Sequence, residues 1–183
     1  PGLTQQQYRS LLINSASAAT KDANTPAGVQ SAGAGVLNLA AALNGTIAVY
    51  PTSLNFGTGT GTLRSTLSLS VSNTGTAAGS YTIAAVSSGT GPVPMLSNTF
   101  FRLEPNQVQP LLVTVGGSGL APGEYQGYLR ISGPDGSSVA TVPYWFAVPG
   151  SAPYGISVVY QKFSAAAGAD LRQAIVFRLT DVA

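Results

Sequence analysis

The chain has 183 residues, of which only 8% are charged, with eight Lys or Arg against six Asp or Glu, and it contains neither Cys nor His. The basic residues, Arg9, Lys21, Arg64, Arg102, Arg130, Lys162, Arg172 and Arg178, lie far apart, so no basic stripe exists to neutralise a run of phosphates and nucleic acid is not expected as a partner. The missing cysteine excludes disulfide scaffolds and thiolate metal sites, and no apolar run approaches the ~20 residues needed to span a membrane.

The sequence starts at Pro1 rather than Met and shows no signal peptide, so it reads as a piece cut from a longer polypeptide. Residues 3–16 are expected to form a helix. Thr4 and Gln7 stand three apart as a capping box, with Leu3 and Tyr8 placed around it as a hydrophobic staple. Tyr8, Leu11, Leu12, Ser15 and Ala16 then recur at helical spacing. The stripe Tyr8, Leu11 and Leu12 is expected to pack on the sandwich or on a second molecule, since left bare it would be an aggregation patch. A polar loop over 20–30 follows, with Pro26 and Gly28 as breakers. Val36, Leu39, Ala40 and Leu43 mark a second short helix that stops at Asn44 and Gly45. Two such helices cannot build a core by themselves.

Beyond Gly45 the period changes from about 3.6 to two, the pattern of strands. Strands are expected over 46–50, 54–56, 66–73, 80–85, 100–103, 109–115, 123–132 and 139–148. The alternation is clearest where Leu67, Leu69 and Val71 oppose Thr66, Ser68, Ser70 and Ser72, one face apolar and the other hydroxylic. Turn residues fall between the runs, including the Pro134, Asp135, Gly136 hairpin signal. The fold class is therefore mainly β: an immunoglobulin- or fibronectin-III-like β-sandwich over 46–149, preceded by a short two-helix segment over 1–45. After a linker over 149–155, two more strands over 156–163 and 174–180 read as the start of a partial β module in 150–183, or as an added edge of the sandwich.

The first 45 residues resemble the end of the catalytic domain of subtilisin-like serine peptidases, in Pro1, Thr4, Gln7, Leu11, Leu12, Ser15 and Ala16, and then in Gly33, Ala34, Gly35, Leu37, Asn38 and Ala42. Residues Pro51, Thr52, Ser53, Leu54, Asn55, Phe56 and Gly57 are similar to the opening of sandwich domains in bacterial secreted proteins. Pro122, Gly123, Glu124, Tyr125, Gln126 and Gly127, with Val142, Pro143 and Tyr144, look like pieces of the fibronectin-like domains that trail large subtilases. Val176, Phe177, Arg178, Leu179, Thr180 and Asp181 are similar to an early strand of bacterial Ig-like repeats. The resemblance implies a secreted bacterial protein, a catalytic domain upstream in the same polypeptide as partner, and a parent that is a serine endopeptidase acting on protein substrate. The Asp, His and Ser of that family lie upstream of Pro1, so none is carried onto this numbering.

The residues themselves point away from catalysis in this chain. A serine hydroxyl needs a base to take its proton, and there is no histidine. Lys21 and Lys162 sit in polar, loop-like sequence and read as solvated surface lysines. Glu104 and Glu124 are the best pair of carboxylates for sugar hydrolysis, but each stands beside a turn proline, which favours an exposed loop. Asp22, Asp135, Asp170 and Asp181 stand singly, so no calcium or other metal site is expected, and no cofactor is implied. Gly33, Ala34 and Gly35 read as close backbone packing before a helix rather than as a phosphate loop. Alternation places Tyr144 and Phe146 on the core face and leaves Trp145 on the other. Two functions are expected from this: a non-catalytic accessory region bracing a protease domain, or an adhesion module recognising a polysaccharide through surface residues Trp145 and Tyr128.

Overall fold

The computed structural model describes residues 2–23, 25–59, 62–151, 153–162, 164, 166–168 and 174–180; Pro1, Phe163, Asp170, Arg172 and Asp181, which entered the sequence argument, lie outside the described residues. The chain opens with α1 (Gln5–Asn14), capped as the sequence dictates. Gln7 donates its backbone N–H to the Thr4 hydroxyl at 3.3 Å and returns its side-chain oxygen to the Thr4 N–H at 2.8 Å. The helix is shorter than the expected 3–16. It ends at a Ser15 cap whose hydroxyl bonds back to the Leu11 carbonyl, the competition by which serine terminates helices.

The loop expected over 20–30 contains the start of a short turn of helix, α2 (Val29–Ala32), and the second expected helix is α3 (Leu39–Asn44), capped by the Asn38 side chain accepting from the Ala41 N–H at 3.0 Å. Val36 is not helical. It forms a bridge with Ser17, each N–H donating to the other's carbonyl. That close approach explains Gly35, which has φ 120° and where any Cβ would overlap the Ser17 carbonyl. Only glycine fits there, so this piece is backbone packing, as its sequence suggests.

Among the described residues nine strands follow in two sheets: β1 (Ile47–Tyr50), β2 (Leu54–Thr58), β3 (Arg64–Asn73), β4 (Gly79–Ser87), β5 (Met95–Leu96), β6 (Phe100–Leu103), β7 (Val108–Gly116), β8 (Gly123–Ser132) and β9 (Ser138–Val148). One sheet has the order β1-β3-β7-β5 and the other β2-β9-β8-β4-β6. All pairings are antiparallel except β2 with β9. The first stretch of chain therefore serves both sheets, β1 in one and, after the turn at Pro51, β2 in the other. This is the arrangement of an immunoglobulin-like sandwich, with β1, β3, β7 and β5 in the places of strands A, B, E and D, and β9, β8 and β4 in those of G, F and C. The short β5 has no counterpart among the expected strands, because two residues in a Gly-, Pro- and Ser-rich stretch show no period.

The core lies between the sheets and is built by the inward residues of each alternation. Leu69, Val71, Val113 and Val49 meet Ile83, Leu129, Ile131, Val142, Tyr144 and Phe146, all of them buried. Each such side chain contributes about 1.5–3 kcal/mol by leaving water. The Tyr125 ring stacks on Phe146 with centroids 4.9 Å apart, and its hydroxyl donates to the Ala121 carbonyl at 2.7 Å. A tyrosine near the start of this strand that bonds back to the chain just upstream is a hallmark of the sandwich. It gives the Pro122-to-Gly127 motif its physical role. Tyr125→Phe keeps the stack and loses only this bond, so it is expected to cost about 1 kcal/mol in a urea titration, without change of slope.

The outer edges are managed in different ways. Leu112 bonds to Ser97 through both its N–H and its C=O, so Pro110, two residues earlier on β7, aims its missing donor along the same open edge, where a further strand would need one. Strands β10 (Gly155–Gln161) and β11 (Ile175–Thr180) pair with each other as a separate two-stranded sheet and join neither sheet of the sandwich. The reading of these strands as an added edge of the sandwich is thereby set aside.

Candidate functional site

The helical segment is attached to the sandwich by polar groups. Ser10, Leu11 and Asn14 form the buried side of α1. Asn14 sends the two hydrogens of its amide to the carbonyls of Thr52 and Thr141, both at 2.9 Å, and its side-chain oxygen accepts from the Ser10 hydroxyl at 2.9 Å. Ser10 in turn accepts from the Val49 N–H at 2.6 Å. That N–H points away from β3, so the helix closes the edge of β1 that would otherwise be open to another strand. Three parts of the sandwich, β1, the turn after it and β9, are thus held by two side chains.

The stripe Tyr8, Leu11 and Leu12 is divided by this docking. Leu11 is 8% exposed and lies beside Gly45 at the end of α3, whereas Tyr8 and Leu12 remain 56% and 42% exposed. Of the expectation that the stripe packs on the sandwich or on a second molecule, the first alternative is corrected for Tyr8 and Leu12: the seam needs Ser10 and Asn14, and these lie about a third of a helical turn or more from both. Val36, Leu37, Leu39 and Leu43 are exposed as well. The helical segment therefore carries a bare apolar surface away from the sheets.

Tyr128 and Trp145 lie on the outer face of the five-stranded sheet, beneath the segment that contains α2. The Tyr128 hydroxyl donates to the Gly33 carbonyl at 3.3 Å, and burial pushes it above the usual tyrosine range. Gln126, between them on the sheet, accepts from the Gln30 N–H at 3.4 Å. Trp145 is half-buried. It borders a shallow cleft of about 450 Å³ shared with Gln30, Thr58 and Glu124, and its Nε1 is buried without a partner among the described residues. Both rings therefore help to seat α2, and neither is a fully open platform.

The other singled-out groups do not converge. Glu104 follows β6 and is paired with Arg102 at 3.1 Å, both exposed. Glu124 stands at the other end of β8, with β4 between the two strands. Lys21 and Lys162 are exposed. The Asp135 carboxylate accepts from the Ser137 hydroxyl at 2.7 Å and N–H at 3.0 Å, and these bonds hold it below the usual carboxylate range. It shapes a hairpin turn. Among the described residues there is no group of three or more His, Cys, Asp or Glu able to hold a metal ion, and no helix is long and apolar enough to cross a membrane.

One feature escaped the sequence reading. Tyr50, at the end of β1, is 55% exposed, and it borders two adjoining clefts, of about 250 and about 420 Å³. Gln6 is shared by both; Ser70 and Ser72 line the first, and Gln5 and Arg9 the second. The available signal was alternation: Ile47 and Val49 face the core, so Ala48 and Tyr50 face outward, and α1 covers only Ala48.

No protein family matches the sequence, and no curated protein is similar to it in sequence. Among solved structures, a PapD-like domain of human CEP192 is 15% identical over 56% of this chain and 84% of that one, with a TM-score of 0.44. The E. coli chaperone DraB is 17% identical over 57% of this chain and 56% of its own length, with a TM-score of 0.45. WR4, a C. elegans member of the MSP family, is 7% identical over 57% of this chain and 98% of that one, with a TM-score of 0.41. At such identities the likeness concerns shape alone, and the sandwich assignment rests on the strand order and register described above.

Proposed function

We propose that this chain is a non-catalytic accessory region of a secreted bacterial subtilisin-like serine protease, in which the sandwich stabilises the protease domain and helps to position protein substrate. The observation that carries the reading is the two-sidedness of the helical segment. One side is fixed to the sandwich by buried Ser10 and Asn14, and the other carries exposed Tyr8, Leu12, Leu39 and Leu43. A surface of that kind has the composition of an interior rather than of a solvated face. The upstream catalytic domain of the same polypeptide is its proposed cover, and the order of motifs along residues 1–45 and 51–57 supports that choice. Endopeptidase activity belongs to the parent under this reading, because the chain has no histidine to serve as base.

The test is made on the parent polypeptide. Tyr8→Asp with Leu43→Asp is expected to lower the temperature of half-inactivation of peptidase activity by about 5 °C or more, since each large side chain leaving an apolar contact costs about 2 kcal/mol. The same pair in chain 1–183 alone leaves its melting unchanged, because both side chains already face water there. Equal inactivation of variant and parent removes the reading. So does the absence of Asp, His and Ser motifs from the coding sequence ahead of Pro1.

A further inference from the structure

We infer that the groove astride Tyr50 binds a neutral, polyhydroxylated ligand, a glycan chain. The Tyr50 ring is more than half exposed where the two clefts meet, so a sugar laid along the groove crosses an aromatic face. Pyranose rings present such a face with C–H groups, and tyrosine offers a rigid, apolar surface with a polar tip. The walls supply what the rim of a sugar requires. Gln5 and Gln6 carry amides that both donate and accept, Ser70 carries a hydroxyl that does the same, and the Ser72 hydroxyl, whose hydrogen goes to the Ala48 carbonyl at 3.1 Å, can accept. Ser70 and Ser72 also begin a row that continues outward along β3 through Ser68 and Thr66, at a repeat of about 6.8 Å. The groove therefore leads into a hydroxylic track rather than a closed pocket, which suits a chain more than a single sugar.

Other ligand classes fit less well. Among the described residues, Arg9 is the single charged residue lining the two clefts, so a polyanion would find one guanidinium where several are needed. A peptide cannot add itself as a strand to β1, because the Val49 N–H is already held by Ser10. Ala48, Val49, Pro51 and Val108 share the lining with the amides and hydroxyls, so the floor is mixed rather than a dedicated pocket for an apolar side chain. On α1, Gln6 stands about a third of a turn or more from Tyr8 and Leu12, while Gln5 and Arg9 lie beside them, so the groove adjoins the apolar surface assigned to the upstream domain and runs away from it past Gln6 and Tyr50 toward β3. The inference rests on the groove alone and does not depend on the protease reading.

Chain 1–183 is titrated calorimetrically with cellohexaose, xylohexaose, mannohexaose and chitohexaose. At least one of the four is expected to bind. Tyr50→Ala weakens that binding ~10-fold or more, Tyr50→Trp retains it, Gln6→Ala weakens it several-fold and Trp145→Ala leaves it unchanged. Tyr50 faces outward, and unchanged circular dichroism and melting of each variant confirm that only the groove is altered. Failure of all four sugars to bind overturns the inference. So does a Tyr50→Ala chain that binds as the parent does, or a Trp145→Ala chain in which binding is lost.

Discussion

Replacing Asn14 with Ala is expected to remove about 3 kcal/mol of stability and to release α1 from the sandwich. Asn14 is 2% exposed, and its amide satisfies the Thr52 and Thr141 carbonyls while its oxygen receives the Ser10 hydroxyl. Truncation leaves buried groups without partners at about 1–3 kcal/mol each, and water entering the seam recovers part of that. The local effect is larger than the global one. Once Asn14 lets go, Ser10 loses its orientation, the Val49 N–H opens to solvent, and little besides Leu11 keeps the helix in place. Urea titration gives the loss of stability. Trypsin gives its location, because cleavage after Arg9 requires α1 to unwind or lift away and is expected to accelerate at least ~10-fold. Asn14→Asp separates chemistry from volume. The carboxylate has the same size but brings negative oxygen against two carbonyls, so its folded pKa rises above the unfolded value. The variant is then least stable at neutral pH and recovers as pH falls through that raised pKa and the protonated acid can donate. An Asn14→Ala chain with unchanged urea midpoint and unchanged cleavage at Arg9 refutes the seam.

That seam also marks where the sequence stops speaking. The sandwich itself was legible, since Leu67, Leu69 and Val71 alternate with hydroxyl residues and turn residues such as Pro134, Asp135 and Gly136 fall between the runs, both local patterns of period or spacing. The cap of α1 was legible for the same reason, because Thr4 and Gln7 are three residues apart. Asn14 was not, since its partners lie 38 and 127 residues away, and an asparagine inside a helical stripe carries no mark of what it will meet. The same limit applies to Tyr128. It was expected as an exposed surface residue, but whether its face of the sheet meets water depends on α2, which returns across the sheet from ninety-odd residues earlier. Tyr50 shows the converse case: its outward direction could be read from Ile47 and Val49, while the cleft around it is made by a helix and by β3, neither of them adjacent in sequence. Pattern gives direction, and sites are made by what directions meet.

Gly127→Ala is expected to be the most damaging small substitution in the sandwich, at about 3 kcal/mol or more and a fall in melting temperature of roughly 10 °C. Gly127 sits in β8 opposite Tyr144 of β9 and Ser87 of β4. Its backbone dihedrals are not the difficulty; space is. A Cβ there would overlap the Val86 carbonyl and would stand 2.6 Å from the Tyr144 Oη and 2.8 Å from Cζ. The fully buried Tyr144 ring passes over this glycine to bring its hydroxyl toward the Val86 carbonyl at 3.5 Å. One obstacle is therefore a side chain and the other is main chain. A double variant tells them apart: Gly127→Ala with Tyr144→Phe removes only the hydroxyl and is expected to recover no more than about a third of the loss, because the Val86 carbonyl belongs to the β4–β8 ladder and can move only by opening it. Gly89, where an added Cβ meets nothing within 4 Å, serves as control, and Gly89→Ala is expected to lie within about 0.5 kcal/mol of the parent. Full recovery in the double variant would place the obstruction in the Tyr144 hydroxyl alone, and a Gly127→Ala chain as stable as Gly89→Ala would mean that β4 and β8 are not paired at this register.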